Sequence, residues 1–279
     1  MPHIIDTLIE ERAVRLMQNA AVWKVVKTTL YPVLGYDKGV ELADRIADMS
    51  GLEALRHFSN MLNLQVVTQG LEHVPATGLA MVMPNHPSGI ADGVAVFDAL
   101  KHVREDISFF ANRDAIRVSP GMAEVVVPVE WIDERRNHQR RKETVKNMMK
   151  AIRTERLIVI FPSGRLAQPT VTGLKERPWQ STALNLALRY ACPVVPMHIK
   201  GRNSWLYYLF YMIHQELRDI TLVREFVNKE NQSYQITVGE SFIANEVAAR
   251  ESMNTETLTD RLRHFVTRKL PQGYTRFDG

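Results

Sequence analysis

Apolar positions along the chain fall into two textures. Over residues 1–62 they recur at helical spacing. Ile5, Leu8, Ile9, Ala13, Leu16, Met17 and Ala20 make one stripe, and Leu42, Ile46, Leu52, Leu55 and Phe58 make a second. Between the stripes lies an apolar stretch, residues 21–31, with Trp23, Lys24, Lys27 and Tyr31 in it. Pro32 and Gly35 follow and predict a break. From residue 63 the texture changes to short β-rich runs separated by helical stretches. The pattern predicts strands at 63–68, 78–83, 107–110, 124–130, 156–161, 193–199, 219–224 and 234–239, and helices over 90–103, 138–154, 179–190 and 256–269. Strand alternating with helix predicts an α/β fold whose mixed, mostly parallel sheet is covered by helices on both faces. With no repeat and no low-complexity tract, the expected organisation is a helical N-terminal subdomain at 1–62 and an α/β domain at 63–279.

Composition narrows the class. Hydrophobic residues make up 45% and charged residues 24% of the 279, which excludes a disordered or fibrous chain. The formal charge of +4 suits an anionic partner such as a phospholipid surface, a coenzyme A phosphate or an acyl carrier protein. Nucleic acid is not expected, because the basic segment 135–142 has no interleaved aromatic platforms. Cys192 is the single cysteine, so no intrachain disulfide can form, and its apolar surroundings predict a core position. No basic-then-apolar leader opens the chain. Nor does any apolar run reach the roughly 18 residues a membrane span needs. The segment 203–214 is dense in Trp and Tyr, side chains that favour the lipid headgroup level. With Lys24, Lys27 and the N-terminal helix it could form a peripheral contact on the cytoplasmic, inner face of a membrane; the alternative is an ordinary buried helix that covers the sheet.

The densest chemistry is in Asn85-His86-Pro87-Ser88-Gly89-Ile90-Ala91-Asp92-Gly93. It follows the apolar run 79–83 and precedes a helical pattern, so it lies where a strand gives way to a helix. Ligands bind at that edge of an open α/β sheet, and a helix start there presents free N–H groups. A carboxylate a few residues from a histidine on such a turn can orient the imidazole and balance its protonated form. The ring can then accept a proton from an attacking hydroxyl. The alternative is a plain capping loop.

This turn resembles the signature of the PlsC-type glycerolipid acyltransferases, in which Asn-His is followed by Ser or Thr and then Asp. The usual spacing leaves four residues between His and Asp, and this chain has five. The longer form is similar to the hemolysin-like or ornithine-lipid acyltransferase branch, and Gly89 could absorb the extra residue. Three further blocks follow in the family's order. Val129 to Arg136 resembles the strand whose arginine grips an acceptor phosphate, with Arg135 or Arg136 in that role; an arginine fork matches phosphate oxygens with paired bonds. Phe161-Pro162-Ser163-Gly164-Arg165 resembles the Phe-Pro-Glu-Gly-x-Arg block, with Ser163 in place of Glu and Arg165 one place early. The Glu is linked in the family to acceptor hydroxyls, so the resemblance does not carry lysophosphatidic acid over as the acceptor. Residues 193–204 resemble the fourth block, an apolar strand ending in Val-Pro, and His198 within it reads as a packed strand residue.

The resemblance implies an acyltransferase. It would move a fatty acyl group from acyl-CoA or acyl carrier protein to a hydroxyl of a lysophospholipid or lyso-aminolipid. His86 would be the general base and Asp92 its partner. Asn85, Ser88, Gly89, Arg135, Arg136, Ser163, Gly164 and Arg165 would serve substrate binding, with backbone donors near 88–89 or 163–164 taking the oxyanion. No metal or resident cofactor is expected, since no cluster has ligand spacing, and no Gly-x-Ser-x-Gly elbow implies a covalent intermediate. Two alternatives remain open at this point: an N-acyltransferase acting on an amino acid or amine, and an inactive membrane-surface protein of the same fold.

Overall fold

The structure, a computed structural model, describes residues 2–130 and 137–278. Its strands are β1 (Gln65–Gln69), β2 (Ala80–Pro84), β3 (Ile107–Asn112), β4 (Val126–Val129), β5 (Leu157–Val159), β6 (Gln168–Thr170), β7 (Gly173–Lys175), β8 (Pro193–Lys200), β9 (Ser233–Val238) and β10 (Phe242–Ile243). Among the described residues eight of them build one sheet, in the order β1-β9-β8-β2-β5-β3-β4, with β10 on β8. All neighbours on that path are parallel except β8 and β9, which run antiparallel, as do β8 and β10. The α/β fold with a mixed, mostly parallel sheet is the one the sequence pattern predicts.

Side chains along the central strands divide by parity, as a pleated strand requires. Ala80, Val82, Leu157, Val159, Val195 and Met197 join the core under the helices Gly51–Leu62 and Ile90–Leu100. Met81, Met83, Ile158 and Val194 join a second core on the opposite face. The helices Thr182–Tyr190, Ala244–Arg250 and Thr255–His264 pack there. Burial on both faces is why β2 and β5 read as continuous apolar runs rather than alternating ones. A third, smaller cluster holds the N-terminal helices together: Ile5, Ile9, Val26, Tyr31 and Ala43 pack with Ile220.

Capping residues set several helix starts. Ser50 and Glu53 form a reciprocal capping box on Gly51–Leu62, and Asn137 and Asn254 cap His138–Arg153 and Thr255–His264. Four corrections to the sequence pattern follow. The strand predicted at 219–224 is instead the end of helix Gln215–Ile220 and the start of helix Leu222–Val227. The run Ile220-Thr221-Leu222-Val223 has β-branched character. Yet burial at Thr221, Glu225, Phe226 and Lys229 follows the helical period, and tertiary packing wins over propensity. Pro32 does not break the chain: it sits in the first turn of helix Tyr31–Val33, where its missing N–H is harmless. The turn comes at Gly35, at φ +67°. Finally, the hairpin β6–β7 and the short β10 have no counterpart in the expected strands.

β2 is the strand about which the topology reverses, with β5 on one side and β8 on the other. The loops after β2, β5 and β8 therefore leave the sheet side by side on one edge, which is where α/β sheets bind ligands. Helix Ile90–Leu100, which follows β2, lies over the sheet with Phe97 fully buried. Phe97→Ala is expected to lower the unfolding free energy by about 3–5 kcal/mol, the cost of a large ring lost from a packed core. Val171→Ala, at the exposed tip of the β6–β7 hairpin, is expected to change it by less than about 0.5 kcal/mol. Denaturant titrations of the two variants against wild type check both.

Candidate active site

The site starts from one buried carboxylate. Asp92 is in the first turn of helix Ile90–Leu100 and is 0% exposed. A charge in that position must be met by donors, and the preceding turn supplies them. The backbone N–H groups of Ser88 and Gly89 donate to its Oδ2 at 2.8 and 2.9 Å, and the Ser88 hydroxyl donates to Oδ1. His86 Nδ1 completes the set at 2.9 Å from Oδ2. An ionised carboxylate only accepts, so Nδ1 carries a hydrogen. The proton-accepting lone pair of the neutral ring is thereby placed on Nε2.

Five residues between His86 and Asp92 fit because Gly89 has φ +95° and ψ −134°, a conformation open to glycine. A Cβ there would also sit 3.2 Å from the Leu166 side chain. The imidazole packs at 4.2 Å between ring centroids against Phe161, the residue that leaves β5. The loops after β2 and β5 thus meet across the ring.

The other expected residues are placed as follows. Asn85 is buried and clamps β2 to β8: its Nδ2 donates to Ile199 O at 2.9 Å and its Oδ1 accepts from Ile199 N at 2.7 Å. The Ser88 hydroxyl also meets the Tyr234 hydroxyl of β9 at 2.7 Å. Because the Ser88 and Gly89 N–H groups bind Asp92, they point at the carboxylate and not outward. The Gly164 N–H is likewise taken, by Phe161 O at 3.0 Å. Ser163 is buried, its hydroxyl donating to Arg165 O at 2.8 Å, and the Arg165 side chain is exposed. At the helix start, the first N–H groups that face no acceptor of their own helix are those of Ile90 and Ala91. Arg135 and Arg136 lie outside the described residues. His198 is a packed strand residue whose Nδ1 contacts Val266 O at 2.9 Å, and burial holds its pKa below the usual imidazole value. Cys192 is buried, and burial pushes its thiol up to about 11.

One residue of the site has no precedent in the sequence reading. Glu176, at the end of the β6–β7 hairpin, accepts the His86 backbone N–H at 3.1 Å through Oε2 and Trp179 Nε1–H at 3.1 Å through Oε1. The hairpin is held to the His86 turn a second time, by the Ala167 N–H bonding His86 O at 2.8 Å. Burial raises the Glu176 pKa, against smaller downward pulls from the His86 N–H and the Ser163 side chain. The signal available was the turn Thr170-Val171-Thr172-Gly173, which announces a hairpin and hence a chain that doubles back.

The arrangement is a histidine held against a buried carboxylate at the C-terminal edge of a sheet. Residues 65–200 match the family model Acyltransferase. Two proteins named lyso-glycine lipid O-acyltransferase are each 24% identical to this chain. The one from Phocaeicola vulgatus aligns over 196 residues, 68% of this chain and 68% of its own. The one from Bacteroides thetaiotaomicron aligns over 205 residues, 73% of this chain and 72% of its own. The matched segment holds the His86–Asp92 turn, and over it the chain is similar to acyltransferases. It is an enzyme, an acyltransferase. The crystal structure of the 1-acyl-sn-glycerophosphate (LPA) acyltransferase PlsC from Thermotoga maritima aligns with 99% of this chain and 100% of that one, at 15% identity and a TM-score of 0.49.

In this acyltransferase the raised pKa of Glu176 has a signed consequence for stability. The folded state favours the protonated carboxyl, so above the ordinary value of 4.5 it binds more protons than the unfolded chain. Stability then falls as pH rises from that value through the raised one, and levels off beyond it. Glu176→Gln keeps the neutral shape and is expected to remove this fall. Urea midpoints of wild type and variant at a series of pH values check it: the two curves converge at low pH and separate as pH rises.

Proposed function

We propose that this acyltransferase moves a fatty acyl group from a pantetheine thioester, acyl-CoA or acyl carrier protein, to the hydroxyl of a lyso-aminolipid. The observation that carries the mechanism is the His86 Nδ1–Asp92 contact of 2.9 Å, which leaves Nε2 as the basic atom. The acceptor class is supported by the printed activity of the two relatives from Phocaeicola vulgatus and Bacteroides thetaiotaomicron.

In the first step, His86 Nε2 takes the acceptor's hydroxyl proton as its oxygen attacks the thioester carbonyl carbon. The carbonyl oxygen becomes an oxyanion, and Asp92 balances the imidazolium that forms. The Ile90 and Ala91 N–H groups are the nearest uncommitted donors of the helix start and supply its partial positive charge. In the second step the carbonyl re-forms, the C–S bond breaks, and the leaving sulfur takes the proton from His86. The products are an ester and a free thiol, and the base is restored.

The acceptor is amphiphilic, and among the described residues no helix is long and apolar enough to cross a membrane. The protein reaches its acceptor through a surface patch. Helix Trp205–Ile213 exposes Trp205, Met212 and Ile213, and the N-terminal helices expose Val14, Met17, Val22, Val25 and Val33. The two groups belong to one body: Leu206, Leu16 and Trp23 each pack against the N-terminal cluster. The Glu216 carboxylate also accepts the backbone N–H groups of Arg15 and Leu16. Lys24 and Lys27 add positive charge to that side, although Lys27 is paired with Glu10.

Two tests follow. His86→Ala is expected to reduce acyl transfer by at least about 10²-fold, the minimum contribution of a positioned general base. Asp92→Asn, which misdirects the ring, is expected to cost about 10⁴-fold on the pattern of other His–Asp pairs. Product analysis with labelled donor and a panel of lyso-aminolipids, lysophospholipids and amino acids, alongside circular dichroism, checks both the mechanism and the acceptor. Full activity in His86→Ala ends this mechanism. In flotation with vesicles containing anionic phospholipid, wild type is expected to rise with the lipid. Trp205→Ala/Met212→Ala/Ile213→Ala is expected to bind at least about tenfold less, since each buried apolar side chain is worth about 1.5–3 kcal/mol.

A further inference from the structure

Beside the catalytic turn the surface opens into a cleft of about 1000 Å³. Asn85 and Pro87, the two chain neighbours of His86, form one wall together with Glu176. The lining is strongly cationic, with Lys175, Lys200, Arg202, Arg263 and Arg268 in it. Arg263 is paired with Asp260 at 3.3 Å. The other four cations have no carboxylate partner among the described residues. Glu176 is the single acid in this wall, and burial favours its neutral form. A cleft of this size and sign is matched to an anion with a body attached.

A second observation is independent of charge. Asn203 also lines the cleft, is 5% exposed, and neither its Nδ2 nor its Oδ1 has a hydrogen-bond partner. A buried amide without partners is costly, and such a group is commonly one that a ligand or water completes. The loop that carries it is firmly held. Gly201 lies so close to the Tyr234 ring that a Cβ would stand 2.5 Å from it. Lys229 Nζ donates to Arg202 O at 2.5 Å and pairs with Glu225 at 3.5 Å, both side chains being buried. Glu225 in turn accepts the Ser204 N–H at 2.7 Å. A buried ion pair thus fixes the backbone of a loop whose Arg202 side chain is left exposed to the cleft.

We propose that this cleft seats the phosphorylated pantetheine arm of the acyl donor, with the phosphate held by Lys200, Arg202 and Arg268. The pantetheine amides then run past Asn203 toward His86. The lining residues match the parts of that arm. Guanidinium and ammonium groups suit a phosphate, and an amide with both a free donor and a free acceptor suits the arm's own amides. The wall of Asn85 and Pro87 brings the thioester end to the general base. The proposal rests on the thioester donor put forward above. It names a position for that donor which the His86–Asp92 contact alone does not give. Phosphopantetheine is common to coenzyme A and to acyl carrier protein, so the two sources are arms of the test.

Titration calorimetry on the full chain with 4′-phosphopantetheine, and with pantetheine lacking the phosphate, reads the site without turnover. Wild type is expected to bind the phosphorylated probe at least tenfold tighter, with an affinity that falls as salt rises. The variant Lys200→Gln/Arg202→Gln/Arg268→Gln, all three exposed side chains, is expected to lose that preference. Asn203→Leu is expected to weaken both probes. Coenzyme A and holo acyl carrier protein are then competed against the phosphorylated probe, and the stronger competitor identifies the source. Equal affinity for the two probes in wild type overturns the proposal. So does an unchanged preference in the triple variant, or displacement of the probe by lyso-lipid acceptor instead of donor. His86→Ala separates the two readings, since it should keep probe binding while losing transfer. Transfer that depends on His86 without any probe binding removes the cleft assignment alone, and transfer that survives His86→Ala removes the mechanism alone.

Discussion

A carboxylate buried at the start of a helix governs this site. Taking an ionised Asp92 out of water costs several kcal/mol unless donors replace the solvent. Three groups within residues 86–89 and the Ser88 hydroxyl do so. That requirement fixes the backbone of the turn, and with it the plane of the imidazole and the nitrogen that stays free. Gly89 serves the same requirement: of the five residues between His86 and Asp92 it takes the positive φ, at +95°. The chemistry of the turn is therefore a by-product of satisfying one charge.

From that charge the constraint spreads to the sheet. Ser88 reaches Tyr234 on β9, Asn85 is bonded both ways to Ile199 on β8, and the His86 N–H is tied to Glu176 beyond β7. Each bond joins the turn to a different segment. A displacement of the turn would break several of them at once. The site is held by elements far apart in sequence, which gives it a rigidity that a single loop lacks.

How much of this could be read beforehand depends on the range of the interaction. His86 and Asp92 lie within one turn, so their pairing is local and legible. So are the parallel strands, because β2 and β5 are buried on both faces and show it as unbroken apolar runs. Residues 219–224 failed because β-branched residues can sit in a helix when packing demands it, and burial there follows a period near 3.6. Glu176 failed for another reason. It is 90 positions from His86, and nothing in its neighbours' chemistry marks it; only the β6–β7 hairpin, folded back onto the turn, brings it into place. The cations of the cleft come from β7, β8, the loop after β8 and the C-terminal helices, so their convergence is a property of the tertiary fold.

Ser163 gains a physical sense in this setting. Where the acyltransferase block that residues 161–165 resemble carries a glutamate, the chain has a small hydroxyl, yet a carboxyl group still stands beside the loop after β5. Glu176 approaches from the hairpin, and the Ser163 side chain is among the groups that act on its ionisation. A glutamate at position 163 would place a second carboxyl against the first in a buried space. Like charges at short range cannot both ionise without a large cost. The serine and the distant glutamate are thus parts of one solution, which keeps one acid at this wall. In the adjoining cleft Lys175, Lys200, Arg202 and Arg268 have no carboxylate partner among the described residues. Trp205 stands at the rim of that cleft and also begins the exposed apolar helix. A phosphate drawn into the cleft and an alkyl chain drawn to the apolar face would therefore enter from one side. An amphiphilic thioester is the kind of molecule that can use both at once.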